Sequence, residues 1–305
     1  MQEQTYLIVV VGPTAVGKTD LCVRLANHLK TEVVSADSRQ FYREMNIGTA
    51  KPTTEEQQGI VHHFIDSHSI VEDYNAVAFE NDALACINSI FQTHQTCLLT
   101  GGSTLYIKTI TDGMDDIPDV DPEIRVSLQQ MLENEGLAAL LARLDTLDPT
   151  YAQQVDRANP QRVLRALEVC IGTGLPYSSF RTGAKVQRSF RMIKIGLNRD
   201  REELYQRINR RMDEMLKNGL VEEVKHLLPY KDKNALQTVG YREVFDYLDG
   251  LYDEAEMVRL LKRNSRRYAK RQLTWFQRDP EYHWFHPDQY EEIVALIEQQ
   301  LGQKS

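Results

Sequence analysis

Eight consecutive residues, Gly12, Pro13, Thr14, Ala15, Val16, Gly17, Lys18 and Thr19, have the types and spacing needed to hold phosphate. The glycines allow a tight turn in which successive backbone N–H groups, and the start of a following helix, point at phosphate oxygens. Lys18 adds a point charge, and Thr19 offers a hydroxyl to Mg²⁺. A diphosphate-containing substrate with Mg²⁺ is therefore expected at this P-loop. ATP hydrolysis is not implied, because the apolar strand ending in an acid that would complete an ATPase is missing from its usual place; TCLLTGG ends in glycines. The best-placed acid is Asp37, at the end of EVVSADS. It reads as a catalytic group, as a direct or indirect Mg²⁺ ligand, or as a helix cap with Ser38.

Such residues work only if a scaffold brings separate strand ends together. The first third of the chain alternates apolar runs with amphipathic ones, the pattern of a parallel α/β sheet. YLIVVVG, EVVSADS, HHFIDS and TCLLTGG read as strands, GKTDLCVRLANHLK and Tyr74 to about His94 as helices. Open sheets of this kind bind ligands beyond the carboxyl ends of their strands. From about Asp115 the proline- and acid-rich DDIPDVDPEIR opens a helical stretch that lasts to about Arg188. A strand returns at FRMIKIGLN, and long amphipathic stretches run from Asp200 to Leu228 and from Asp253 to Phe276. The expected fold class is α/β: a P-loop NTPase-like core, residues 1–114 and 189–305, with a parallel sheet flanked by helices, plus a small helical insertion domain, 115–188.

Composition narrows the function classes. With 42% hydrophobic and 26% charged residues, the chain reads as a soluble globular protein. The opening MQEQT lacks a basic signal start, and no apolar run nears the roughly eighteen residues that span a bilayer, so a cytoplasmic protein is expected. Cys22, Cys86, Cys97 and Cys170 are far apart in sequence and read as buried free thiols rather than zinc ligands or disulfides. A net charge of -8 rules out a uniformly basic surface, but not a local nucleic-acid site.

Six blocks carry a resemblance: GPTAVGKT; SADSRQFYREMNIGTAKP from Ser35 to Pro52; GGSTLY from Gly101 to Tyr106; NPQRVLRALEV from Asn159 to Val169; VGYRE from Val239 to Glu243; and RRYAKRQLTWFQRD from Arg266 to Asp279. In this order, over nearly the whole chain, they resemble the bacterial tRNA dimethylallyltransferases. The resemblance implies transfer of a dimethylallyl group from dimethylallyl diphosphate to N6 of the adenosine 3′ of the anticodon, position 37, in tRNAs reading codons that begin with U. The P-loop would then hold a prenyl diphosphate instead of ATP. Phe41, Glu44 and Ser103 depart from the family pattern, which more often has an aliphatic residue, glycine and threonine there; Ser103 keeps the hydroxyl.

The resemblance also assigns roles. Asp37 would accept the N6 proton, and a weak base suffices because the amine becomes strongly acidic once alkylated. Arg211 matches an additional diphosphate-binding arginine, and Ser103 reads either as a contact to the adenine or as a helix N-cap. Contacts to tRNA fall on Asp37, Ser38, Arg39, Gln40 and Ser103, on Arg125, on Gln161, Arg162, Val163, Leu164 and Arg165, and on Gln237, Thr238, Val239, Gly240, Tyr241 and Arg242. A monomer is expected. Arg259, Lys262, Arg263, Arg266, Arg267, Lys270 and Arg271 recur at helical spacing and read as a nucleic-acid stripe or as a solvated face. His62 and His63 point to opposite faces of a strand, which argues against a shared metal, and His283 and His286 receive no chemistry. A P-loop kinase remains the rival class, with the helical insertion as its lid.

Overall fold

A computed structural model describes residues 4–302, so the first three residues of the MQEQT opening lie outside the described range. The chain divides into two compact units, one of Met1–Thr111 with Gln187–Ser305, the other of Asp112–Val186.

The larger unit is built on a six-stranded sheet: β1 (Tyr6–Val11), β2 (Val33–Ser35), β3 (His62–His63), β4 (Thr96–Gly101), β5 (Arg191–Leu197) and β6 (His283–Phe285). The strand order is β3-β2-β4-β1-β5-β6, and every pairing is parallel. This is the expected α/β core. β1 lies at the centre, its Tyr6 opposite Thr96 on one side and Arg191 on the other. A strand covered on both faces must be apolar at every position, which is why Tyr-Leu-Ile-Val-Val-Val shows no alternation. Its side chains nonetheless sort by parity. Leu7, Val9 and Val11 join a core with Phe79, Ile87, Ile107 and Phe276. Tyr6, Ile8 and Val10 join another with Leu21, Leu25, Ile208 and Ile293. The helices that supply these residues, among them Lys18–Leu29, Ala76–Ile90, Arg201–Lys217, Glu254–Phe276 and Tyr290–Gly302, flank the sheet on its two faces.

Two elements differ from the sequence pattern. β2 stops at Ser35, so Asp37 lies on the chain leaving the strand rather than on it. The amphipathic stretch expected from Asp200 to Leu228 breaks into Arg201–Lys217 and Leu220–His226, because Gly219 takes a left-handed conformation (φ 98°) that ends one helix and starts the next. Cys22, Cys97 and Cys170 are buried, whereas Cys86 is partly exposed.

The smaller unit is helical. Pro122–Leu147, interrupted at Gly136, and Pro160–Thr173 pack through Leu128, Leu140, Leu144, Val163, Leu164 and Leu167. Asp148, almost fully buried, ties its turns together by accepting from the Tyr151 N–H and from both the N–H (2.6 Å) and hydroxyl (2.8 Å) of Ser178.

Candidate active site

The carboxyl ends of β1, β2 and β4 open into a cavity of about 800 Å³. One wall is the P-loop. Helix Lys18–Leu29 starts at Gly17 with no side-chain cap, so its first N–H groups remain available to an anion. The loop's carbonyls are meanwhile taken up by cations. Lys18 Nζ donates to the carbonyls of Gly12 and Pro13 at 3.0 Å each, Arg207 Nε to that of Ala15 at 2.8 Å, and Arg199 Nε to that of Val16 at 2.8 Å. Holding the carbonyls this way fixes the loop's shape. The Thr14 N–H is an exception: it donates to Gln272 Oε1 at 2.9 Å, while Gln272 Nε2 donates to the Gly102 carbonyl at 2.8 Å. One buried glutamine thus joins the P-loop to the end of β4.

Positive charge is concentrated where water is scarce. Burial pushes the Lys18 ammonium down to about 8, against the opposing pull of the Asp37 carboxylate. Burial likewise lowers Arg211, with Asp37 again opposing. Arg211 donates weakly, to Thr14 Oγ1 at 3.3 Å and the Thr49 carbonyl at 3.5 Å, and its Nε is buried without a partner. Unmet donors beside a desolvated lysine constitute a demand for anionic oxygen.

Asp37 lines the same cavity. Its Oδ1 accepts from the N–H groups of Arg39 (3.0 Å) and Gln40 (3.4 Å), closing a short side-chain turn, while among the described residues nothing bonds its second oxygen. Of the readings open for this residue, the helix cap is therefore replaced by a turn that holds one oxygen and leaves the other free. Ser38 is joined to Ser103: the Ser38 N–H donates to Ser103 Oγ at 2.8 Å, and that hydroxyl donates to Ser38 Oγ at 3.0 Å. Ser103 therefore links the ends of β2 and β4, at the residue before the helix Thr104–Thr111. Gln40 Nε2 reaches the carbonyls of Thr49 and Ala50, both at 3.2 Å, and Arg39 Nη1 the Ser38 carbonyl at 2.9 Å. A second cavity of about 430 Å³ shares Ser38, Arg39 and Tyr268 with the first and is lined by Ser103, Tyr74 and Tyr106. Burial and the Asp37 charge push the Tyr268 hydroxyl up to about 12, so it stays protonated at neutral pH.

Thr19 is exposed at the cavity wall, and its hydroxyl has no hydrogen bond among the described residues. Among those residues no group of three or more His, Cys, Asp or Glu side chains could hold a metal. A cation here would rest on hydroxyl, diphosphate and water oxygens, which suits Mg²⁺, a hard ion that keeps much of its water.

The remaining sequence candidates fall in different settings. Thr238, Val239 and Gly240 line the large cavity, Gln237 and Arg242 are exposed, and Tyr241 is fully buried with its hydroxyl on Glu223. In the helical unit, Gln161 and Arg162 are exposed and Val163 and Leu164 lie in its core. Arg125 and Arg165 both pair with Glu168, at 3.1 and 3.3 Å. Along the basic helix, Arg259 pairs with Glu256, Lys262 with Asp213 at 2.6 Å, and Arg266 with Asn209 at 2.6 Å, whereas Arg267, Lys270 and Arg271 are exposed. His62 Nδ1 meets the Ile60 carbonyl and His63 pairs with Glu32.

Sequence reasoning missed Gln272, Tyr268, Arg199, Arg207 and Glu223. Tyr268 and Gln272 are four residues apart and so share a helix face, Tyr268 within the basic stripe and Gln272 just past its end; that non-basic face was the available signal.

A family model described as IPP transferase matches residues 40–279. The tRNA dimethylallyltransferase of Cytophaga hutchinsonii is 53% identical over 97% of each chain, and that of Christiangramia forsetii is 51% identical over 97% of this chain and 99% of its own. Among solved structures, a tRNA isopentenylpyrophosphate transferase from Bacillus halodurans aligns with a TM-score of 0.71 at 38% identity, covering 99% of this chain and 97% of that one. A eukaryotic dimethylallyltransferase acting on tRNA aligns with a TM-score of 0.78 at 25% identity, covering 97% of this chain and 77% of that one. The family model and the near-full-length identity agree with the strand-end cavity, and the chain belongs to the IPP transferase family.

Proposed function

We propose that this protein transfers a dimethylallyl group from dimethylallyl diphosphate to N6 of the adenosine 3′ of the anticodon in tRNAs that read codons beginning with U, releasing diphosphate. The observation that carries this reading is the pairing, in one cavity, of desolvated Lys18 and Arg211 with the free oxygen of Asp37.

In the reaction the C1–O bond of the allylic diphosphate breaks, its electron pair leaving with the diphosphate, and a C1–N6 bond forms. An adenine N6 is a poor nucleophile, so catalysis must come largely from stabilising the leaving group. Lys18, the N–H groups at the start of the helix and the under-used donors of Arg211 neutralise the developing charge, which costs little reorganisation because the P-loop already holds them in place. Thr19 would hold Mg²⁺ against the diphosphate, and the ion would supply further charge neutralisation there. The proton lost from N6 passes to the unpartnered oxygen of Asp37, whose other oxygen stays fixed by Arg39 and Gln40.

The base must leave its stack to arrive there, and an anticodon loop permits this at small cost. The second cavity, with Tyr74 and Tyr106, offers aromatic faces to unstacked bases. Residues 115–188 are read as a tRNA-contacting domain, with Arg125, Gln161, Arg162 and Arg165 as its polar contacts, and the exposed Arg267, Lys270 and Arg271 as phosphate contacts. No described helix is long and apolar enough to cross a membrane. A cytoplasmic monomer is the working state consistent with a tRNA substrate.

Incubation with Mg²⁺, dimethylallyl diphosphate and unmodified tRNA, followed by nucleoside analysis, should yield N6-(dimethylallyl)adenosine. Phosphoryl transfer from ATP with no prenylated adenosine would instead establish the kinase reading.

A further inference from the structure

One strongly held carboxylate in the larger unit plays no part in the chemistry just described. Glu223, on the short helix Leu220–His226, faces the segment Asn46–Ala50, which forms a wall of the large cavity. Its Oε2 accepts from the N–H groups of Asn46 at 3.0 Å and Ile47 at 2.7 Å. Its Oε1 accepts from the Gly48 N–H at 3.0 Å and from the Tyr241 hydroxyl at 2.6 Å. Three successive backbone N–H groups converging on one anion form a nest, here closed by a fully buried phenol. Burial and the adjacent carboxylate hold the Tyr241 hydroxyl well above its ordinary range, so it remains a donor.

The packing allows little slack. A Cβ at Gly48 would stand 2.5 Å from the Tyr241 ring, so the segment lies directly against the tyrosine and no larger residue fits. The carbonyl of Thr49, one residue on, receives Arg211 Nη2 and Gln40 Nε2. The wall that Glu223 fixes is thus the wall that Arg211 of the diphosphate site reaches, at 3.5 Å.

We infer that Glu223, locked by Tyr241, is a positioning residue for diphosphate binding: its carboxylate clamps Asn46–Gly48 and thereby sets the wall against which Arg211 is aimed. Neither residue touches substrate. The resemblance that groups Tyr241 with tRNA contacts is replaced, for this residue, by a role within the diphosphate site. The inference rests on the cavity being a dimethylallyl diphosphate site.

The test uses the full-length protein with Glu223→Gln, Tyr241→Phe and the double variant, measuring equilibrium binding of dimethylallyl diphosphate with Mg²⁺ in the absence of tRNA, steady-state kinetics for both substrates, and melting temperature. A glutamine places an NH₂ where an acceptor is needed, so Glu223→Gln should weaken diphosphate binding and raise its KM about tenfold, the scale of a charge-assisted hydrogen-bond set lost. The kcat at saturating diphosphate should stay within about threefold, and the KM for tRNA should not move, the pattern of lost uniform binding. Tyr241→Phe leaves the three N–H bonds in place and should cost about threefold, and the double variant should be little worse than Glu223→Gln alone, because the two act through one clamp. A Glu223→Gln variant that binds the diphosphate like the parent, or a Tyr241→Phe variant that raises the KM for tRNA instead, overturns the inference. If Glu223→Gln does not fold, Tyr241→Phe decides by the same criteria, with an unchanged diphosphate affinity counting against the clamp. Failure of the unmodified protein to bind dimethylallyl diphosphate would overturn the functional reading itself, and is read before any variant.

Discussion

Two groups of side chains in the large cavity solve opposite electrostatic problems. Around the P-loop, cations are desolvated ahead of any substrate. Lys18 is held down to about 8 and Arg211 keeps an orphaned Nε, so the site costs stability until an anion arrives. At Asp37 one carboxylate oxygen is immobilised by two N–H groups and the other is free. A weak nucleophile and a good leaving group can in this way share one enzyme. Charge neutralisation is preorganised, whereas proton removal needs no more than a correctly placed weak base acting late.

That comparison can be broken from the P-loop side first. Lys18→Ala should lower kcat/KM by about 10²–10³-fold, the scale seen when one preorganised charge-stabilising donor is removed, with weakened diphosphate binding in calorimetry. A loss confined to tRNA affinity would contradict the assignment.

A smaller effect comes from proton linkage. Because burial has lowered Lys18 to about 8, the tRNA-free enzyme loses this charge as pH rises through that value, and a bound diphosphate restores it. Diphosphate affinity should hold steady below pH 8 and fall by about tenfold per unit above it, with proton uptake on binding in that window. A flat profile up to pH 9.5 would show that Lys18 does not carry the binding charge.

The smallest catalytic effect is expected from Gln272→Ala. Losing both bonds leaves the Thr14 N–H and the Gly102 carbonyl without partners, which should cost stability on the order of 1–3 kcal/mol by chemical denaturation and raise the diphosphate KM severalfold. An unchanged midpoint and KM would mean that the P-loop holds its shape without this bridge.

Much of the architecture was legible in the residues because it rests on local rules. β1 reads as a doubly covered strand from six apolar residues in a row, and the P-loop follows from its own spacing and its strand–helix setting. What the sequence left hidden depends on tertiary approach. Gln272 lies more than 250 positions from Thr14, and although its spacing from Tyr268 marks a non-basic face of the helix, the spacing does not say that this face bridges two loops. Glu223 reads as an ordinary acid in VEEVKH, and only the return of Asn46–Gly48 past it reveals its role. Three of the stripe's cations have intramolecular partners on neighbouring turns and helices, a pairing that periodicity alone does not reveal.

Charge neutralisation and proton removal are carried by separate side chains of one cavity. Asp37→Asn tests this division most directly, by measuring dimethylallyl diphosphate affinity and the single-turnover rate of prenyl transfer to tRNA on the same preparation. Asparagine keeps the turn-forming oxygen but cannot take the proton, so affinity should stay within about threefold while the rate falls by about 10²–10⁴-fold, the range general-base catalysis supplies. A near-parental rate, or a rate loss matched by an equal loss of diphosphate affinity, would contradict the account.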